Sequence, residues 1–170
     1  MTPSYCCCGL MSFSPLAQQL GPGTTVFGTD IDTAALGTLR SAVARAKLAN
    51  VVVIQGGEHE TKLPDGCCDA IVMADVYHHL TDPPLITASL FKSLKPSGRL
   101  AVIDFAPTLW LFWLRRPAGV PRHRGGHGVP SGIVVEELRR AGLLVDRVVD
   151  DWWRFLPRRY GVLARKPPCC

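Results

Sequence analysis

Short β-branched apolar runs alternate along this chain with stretches in which apolar residues recur every three or four positions, so strands and helices are predicted in turn. Thr25 to Asp30 reads as a strand. It follows the turn Gly21-Pro22-Gly23 and a helical piece from about Ser14 to Leu20, where Ser14 and Pro15 suit the N-cap and first helical position. Thr33 to Leu48 is predicted helical: Ala35, Leu39, Val43 and Ala46 fall at helical spacing, either Thr33 or Asp32 caps it, and Asn50 stops it. Val51 to Gln55 is apolar up to its last residue, as in a strand covered by helices on both faces. Asp69 to Asp75 is a second apolar strand, bounded by acids.

A loop from Gly56 to Cys68 separates those two strands. Asp82-Pro83-Pro84 opens a helix to about Leu94, with Lys92 and Lys95 near its C-terminal dipole. The turn Pro96-Ser97-Gly98 precedes a strand from Arg99 to Phe105. Ser131 to Ala141 reads as a helix capped by Ser131, with Glu136 and Glu137 on its wet face and Gly142 as the stop. Leu143 to Val149 and Arg159 to Leu163 finish the chain as an antiparallel strand pair. The alternation predicts an α/β, doubly wound, mostly parallel sheet with an antiparallel C-terminal pair. At 170 residues a second full domain is not expected.

Charge is unevenly distributed within a net +5. From Arg99 onward there are 13 bases and 6 acids, against 6 bases and 8 acids before it. Such a half favours anionic partners only if the arginines are clustered for the purpose; the simpler reading is that they solvate helices and strand edges. The bases are not interleaved with aromatics along a helix, and no nucleic-acid reader motif is present, so nucleic acid is not an expected partner. The seven cysteines stand as Cys6-Cys7-Cys8, Cys67-Cys68 and Cys169-Cys170. Neighbouring cysteines bridge each other poorly, and without a Cys-x-x-Cys pair no metal site is expected. A reduced, cytoplasmic setting follows, and the N-terminus lacks the charged and apolar pattern of a signal peptide.

An acid at the end of a strand, just before a helix, is where doubly wound folds hold a ribose through its 2′- and 3′-hydroxyls. Asp30 in Val-Phe-Gly-Thr-Asp-Ile-Asp has that place, and by itself such an acid is equally well a helix cap. Three segments together say more. VFGTDID resembles the second motif of the class I S-adenosylmethionine-dependent methyltransferases. NVVVIQGGEHETKLPDGCCDAIVMADVYHHL is similar to that family's third strand, adenine loop and fourth strand, and LKPSGRLAVIDF to its Pro-Gly turn and fifth strand. The resemblance runs from about Phe13 to Leu163, in order and at the right separations.

The resemblance implies S-adenosylmethionine as cofactor, with Asp30 on the ribose, Ile31 beside it, and adenine held near Gly57 and Glu58. It also implies that Asp75 and Val76 border the cofactor. The family usually has an acid where Gly57 stands, and Glu58 is the adjacent one. Aligned back from Phe13, Tyr5, Cys7, Gly9 and Met11 fall at the acid and three glycines of the family's first loop, so only Gly9 is kept. Each added side chain at a close-approach glycine costs on the order of 1–3 kcal/mol, or roughly tenfold to hundredfold in affinity. The expectation is therefore an atypical segment, residues 1–12, in which the first strand is missing or irregular, followed by a methyltransferase-like domain over 13–168. A first strand, if present, has to come from Met1 to Cys8, where Pro3 lacks a ladder donor.

In the family the ridge after the fourth strand faces the reacting centre, which implies a substrate contact for Tyr77 and a general base at His78 or His79. Paired histidines there equally cap a turn. The segment from Ala106 to Pro130 corresponds to a substrate lid, with Trp110, Trp113 and His127 as candidate contacts to a small, apolar acceptor and a weak membrane-surface contact as a further option. The same aromatics could simply cover the sheet edge. A catalytically inactive binding module is the alternative reading, favoured by the eroded glycine loop. A nicotinamide oxidoreductase is disfavoured, because no Tyr-x-x-x-Lys pair is present. Oligomeric state is not legible.

Overall fold

The computed structural model describes residues 3–8, 13–106, 128–153 and 159–168, with side chains left undescribed at 7–8, 13–16 and 151–153. Seven strands form one sheet: β1 (Ser4–Cys8), β2 (Thr25–Asp30), β3 (Val51–Gln55), β4 (Cys68–Ala74), β5 (Leu94–Phe105), β6 (Leu144–Trp153) and β7 (Arg159–Arg165). Their order is β3-β2-β1-β4-β5-β7-β6. The first five are parallel, and β7 runs antiparallel to both β5 and β6, as the sequence predicts.

The first strand is present and central. Ser4–Cys8 pairs with Thr25–Thr29 on one side and with Ala70–Met73 on the other. Pro3 does not interrupt the ladder, because it precedes the strand and contributes its carbonyl, which accepts the Thr25 amide at 3.2 Å. The starts of three strands are joined by one carboxylate: Asp69 Oδ2 accepts the Ser4 amide (2.6 Å) and the Lys95 ammonium (2.7 Å).

Helices cover the sheet on two faces. On one, α1 (Phe13–Leu20) and α2 (Thr33–Arg45) bury Ala17 and Leu39 against Val26, with Val53 and Val72 at the margin. On the other, α3 (Pro83–Ser93) and α4 (Ser131–Arg140) pack Leu90, Val134 and Leu138 over Ile71, Met73, Leu100, Val102 and Val162. Ile71 and Met73 sit in one cluster and Val72 in the other, the period-two alternation of a strand with helices on both sides. Burying an aliphatic side chain in this way stabilises the fold by about 1.5–3 kcal/mol.

Four local expectations are corrected. α2 ends at Arg45, short of Leu48, because Lys47 takes a left-handed φ of 52°. β3 is not covered on both faces: it lies at the sheet edge, the following residues 56–67 form no helix, and Val52 is 44% exposed. Ser131 does not cap α4; Pro130 holds the N-cap position, and its carbonyl accepts the amides of Ile133 and Val134. β5 begins at Leu94, with Lys95 to Gly98 bulging out between the pairs Cys68↔Leu94 and Ala70↔Arg99. Gly98 is required there, since a Cβ would come within 2.8 Å of the Lys95 carbonyl and 3.1 Å of the Cys68 carbonyl.

The cysteines also depart from expectation. Cys67 and Cys68 do not bridge each other, as expected of neighbours, but where a reduced state was expected Cys6 and Cys68, 62 residues apart in sequence, form a disulfide. Their Cα atoms lie 6.1 Å apart, within the range a disulfide spans. Among the described residues, no helix is long and apolar enough to cross a membrane.

Candidate active site

The strand order reverses direction between β1 and β4: from β1 the chain builds outward through β2 and β3, and from β4 outward through β5. Open α/β sheets bind ligands at the carboxyl ends of the strands beside such a switch point. Asp30, Gln55, Ala74 and Phe105 mark those ends.

Two acids follow β2, and the structure divides their roles. Asp32 caps α2, its Oδ1 accepting from the amides of Ala34 (2.8 Å) and Ala35 (3.4 Å). Asp30 stays half-buried at the strand end and accepts the Asp32 amide on Oδ1 at 2.9 Å. A carboxylate has about four lone-pair sites, so this single bond leaves Asp30 capacity for two hydroxyls. Ile31 between them is 59% exposed.

The loop after β3 is fastened beside Asp30. The Gly56 amide donates to the Asp30 carbonyl at 2.9 Å, the Gly57 amide closes on the Glu60 carbonyl at 2.8 Å, and Thr29 Oγ1 donates to the Thr61 carbonyl at 3.0 Å. A Cβ at Gly56 would lie 3.0 Å from Thr29 Oγ1, so that glycine lets the loop approach the strand. Gly57 therefore sits in the same corner as Asp30, and Glu58 is exposed on the loop.

A second group gathers at the ends of β4, β5 and β7. Asp75 has a left-handed φ of 54°, and its carboxylate takes a two-pronged grip from Arg159, Nε to Oδ1 at 3.0 Å and Nη2 to Oδ2 at 2.7 Å. The hydrogen bond to Asp75 raises the Arg159 guanidinium further above its ordinary value against the opposing effect of burial, and Asp104 adds to the same side. Each Asp75 oxygen thus accepts once from Arg159. Val76, half-buried, leads into a short 3-10 turn at Tyr77–His79.

Tyr77, expected at the substrate, has no solvent exposure. It lies in the core, and its hydroxyl donates to Glu137 Oε2 at 2.8 Å, which also turns Glu137 inward from the wet face expected for it. His78 is buried as well and faces Asp104, which has no exposure at all. Asp104 Oδ2 accepts the His78 amide (2.9 Å), and Oδ1 accepts the Phe105 amide and meets His78 Nδ1, both at 2.8 Å. A carboxylate already accepting two amides leaves Nδ1 to donate in that contact. The His78 ring packs 4.6 Å from Phe105 and 3.9 Å from the exposed His79.

Asp104 and Arg159 were not singled out by sequence. A signal existed for Asp104, an acid within the apolar run Arg99 to Phe105, since a buried acid must have partners. None existed for Arg159, whose partner lies 84 residues away.

Gly9, Trp110, Trp113 and His127 lie outside the described residues. The roots of the segment containing the last three are nevertheless described. The Val129 amide donates to the Phe105 carbonyl at 3.0 Å, and the Tyr160 hydroxyl donates to the Val129 carbonyl at 2.8 Å. Gly128, with φ 95°, fits against Phe105, where a Cβ would be 2.5 Å from the carbonyl oxygen. Ala106 and Gly128, which flank residues 107–127 in sequence, thus meet at the carboxyl end of β5, beside the His78–Asp104 pair.

Comparison with known proteins agrees with this arrangement. A family model described as "Methyltransferase domain" matches residues 6–102, more than half of the chain. The demethylmenaquinone methyltransferase of Listeria monocytogenes serotype 4a (strain HCC23) is 32% identical over 99 residues, 58% of this chain and 42% of that protein. The ubiquinone/menaquinone biosynthesis C-methyltransferase UbiE of Saccharophagus degradans is 33% identical over 87 residues, 51% of this chain and 35% of that protein. The chain therefore spans less than half the length of these curated relatives. The crystal structure of an S-adenosylmethionine-dependent methyltransferase from Aquifex aeolicus superposes with a TM-score of 0.76 at 25% identity, covering 96% of this chain and 82% of that one. Matched in sequence over its parallel strands and in fold over nearly its whole length, the chain belongs to the class I S-adenosylmethionine-dependent methyltransferase family.

Proposed function

We propose that this chain binds S-adenosylmethionine at the carboxyl ends of its parallel strands and transfers the methyl group to a small, apolar acceptor. One observation carries the reading: Asp32 makes the helix cap, which leaves Asp30 able to accept from ribose hydroxyls. The surroundings fit the nucleoside. Ile31 offers an exposed apolar face, and the corner at Gly57 has room, since a Cβ there would come no nearer than 3.6 Å to the Glu60 side chain. When bound, the cofactor supplies an electrophilic methyl group on a sulfonium. The chain's own part is to hold the nucleoside, orient the acceptor in line and exclude water.

Asp75, each oxygen of which accepts once from Arg159, keeps lone pairs with which to face the cofactor, and Val76 borders it. His79, the more exposed of the paired rings, is the group suited to removing a proton from an acceptor, and His78 holds the turn beneath it. An apolar acceptor is supported by the quinone precursor in the Listeria relative's name and by the apolar aromatic sequence around Trp110 and Trp113.

Calorimetric titration with S-adenosylhomocysteine tests the reading. Micromolar binding, lost in Asp30→Ala, supports it. The second reading, a non-catalytic module, is favoured by Cys7 and Met11 at positions where the family has glycine. Absence of heat at millimolar ligand would select it. Methyl transfer from labelled cofactor to a demethylated quinone, set against a polar amine, tests the acceptor class.

A further inference from the structure

The methyltransferase reading uses the carboxyl ends of the strands and leaves unexplained a group of sulfurs near the opposite end of the sheet. Cys68 opens β4, and Cys6 lies in β1 opposite Ile71. Their disulfide has no solvent exposure at either residue. A third sulfur adjoins it: Cys67 Sγ lies 3.1 Å from Cys68 Sγ, and all three sulfurs fall within 4.8 Å of one another. Cys67 is free and partly exposed. A disulfide closed off from solvent cannot be attacked directly by a thiol in solution, whereas a neighbouring thiol that reaches both the bond and the surface can pass the exchange on.

We infer that Cys6, Cys67 and Cys68 form a thiol-redox site in which Cys67 connects the buried Cys6–Cys68 disulfide to low-molecular-weight dithiols. In the first step the Cys67 thiolate attacks Cys68 Sγ; the Cys67–Cys68 bond forms, the Cys6–Cys68 bond breaks, and Cys6 leaves as a thiolate that takes up the proton lost by Cys67. No net oxidation occurs in this step. In the second step an external dithiol reduces the Cys67–Cys68 bond, giving two protein thiols and an oxidised cyclic disulfide, so two electrons and two protons pass to the protein. A bridge between adjacent cysteines is geometrically unfavourable, which keeps it transient and readily reduced. Oxidation runs the same path backward, with a small disulfide such as oxidised glutathione accepting the two electrons.

Burial raises the Cys67 thiol above an ordinary cysteine, as do the nearby Asp65 and Asp69 carboxylates. Its own backbone hydrogen bond and the Lys95 ammonium work against this without cancelling it. The exchange is accordingly slow at neutral pH and quickens as pH rises through the alkaline range.

The test is the rate at which dithiothreitol reduces the cross-link in the full chain, followed by quenched alkylation and mass spectrometry. Cys67→Ser is expected to keep the cross-link and slow its reduction at least tenfold, flattening the rise in rate with pH. Cys6→Ser should abolish the cross-link, with Cys7→Ser retaining it as the control for the adjacent position. An unchanged reduction rate in Cys67→Ser overturns the relay. So does a chain purified under an oxidising glutathione buffer with no cross-link at Cys68. Stoichiometric zinc retained by the reduced chain and released on thiol modification would also overturn it, by making the three sulfurs a metal site.

Discussion

Asp104 holds His78 at two points, accepting the backbone amide on one carboxylate oxygen and meeting the ring Nδ1 on the other, and so fixes both the start of the 3-10 turn and the rotation of the imidazole. Replacing Asp104 by Asn puts an NH2 where one of these donors must point. With the pair almost fully buried, the expected loss is about 2–4 kcal/mol of folding stability. Urea denaturation of Asp104→Asn measures it; a change below half a kilocalorie would mean that the pair is not formed.

The same geometry separates the paired histidines. His79→Gln should leave S-adenosylhomocysteine affinity unchanged and lower the turnover rate roughly hundredfold for an acceptor that must lose a proton. His78→Gln should lower stability and rate together, because it disturbs the turn that carries His79. A His79→Gln rate within twofold of the parent would remove that ring from proton transfer.

At the other end of the sheet, acid stability depends on Asp69. Partial burial works against its charge, but the Lys95 ammonium and the Ser4 amide outweigh burial and hold the carboxyl below the usual carboxylate range. A carboxyl lowered on folding contributes stability that is present above the unfolded-state value and disappears as pH falls through the folded one. The melting temperature of the parent should therefore fall more steeply below about pH 4 than that of Asp69→Asn. At pH 7 the variant should already be the less stable. Parallel acid limbs would show that the Ser4–Asp69–Lys95 junction contributes nothing.

Gly57 offers a gain-of-function test. The family pattern has an acid here, and the space at Gly57 admits a side chain with ordinary van der Waals contacts to Glu60 and Lys62. Gly57→Asp is expected to tighten S-adenosylhomocysteine binding by about fivefold to tenfold, the effect of one additional hydrogen bond to a ligand amino group. Titration calorimetry reads it directly. Weaker binding with unchanged stability would place the adenine elsewhere.

Sequence alone determined which segments are strands and which are helices, the parallel sheet with its antiparallel ending, and the acid at the end of β2, because periodicity, turn residues and strand-end acids act over a few neighbours. Even the eroded first motif was traceable to residues 1–8, although whether they form a strand depended on the neighbours β2 and β4 that hydrogen-bond Ser4–Cys8. Tertiary structure decided the rest. It gave the cap to Asp32 and left Asp30 for another task; it withdrew Tyr77 into the core, paired His78 with Asp104 and Asp75 with Arg159, and brought Cys6 to Cys68. Apart from the local cap, each of those partners lies tens of residues away, and no local pattern encodes a distance that only the sheet's strand order brings within reach.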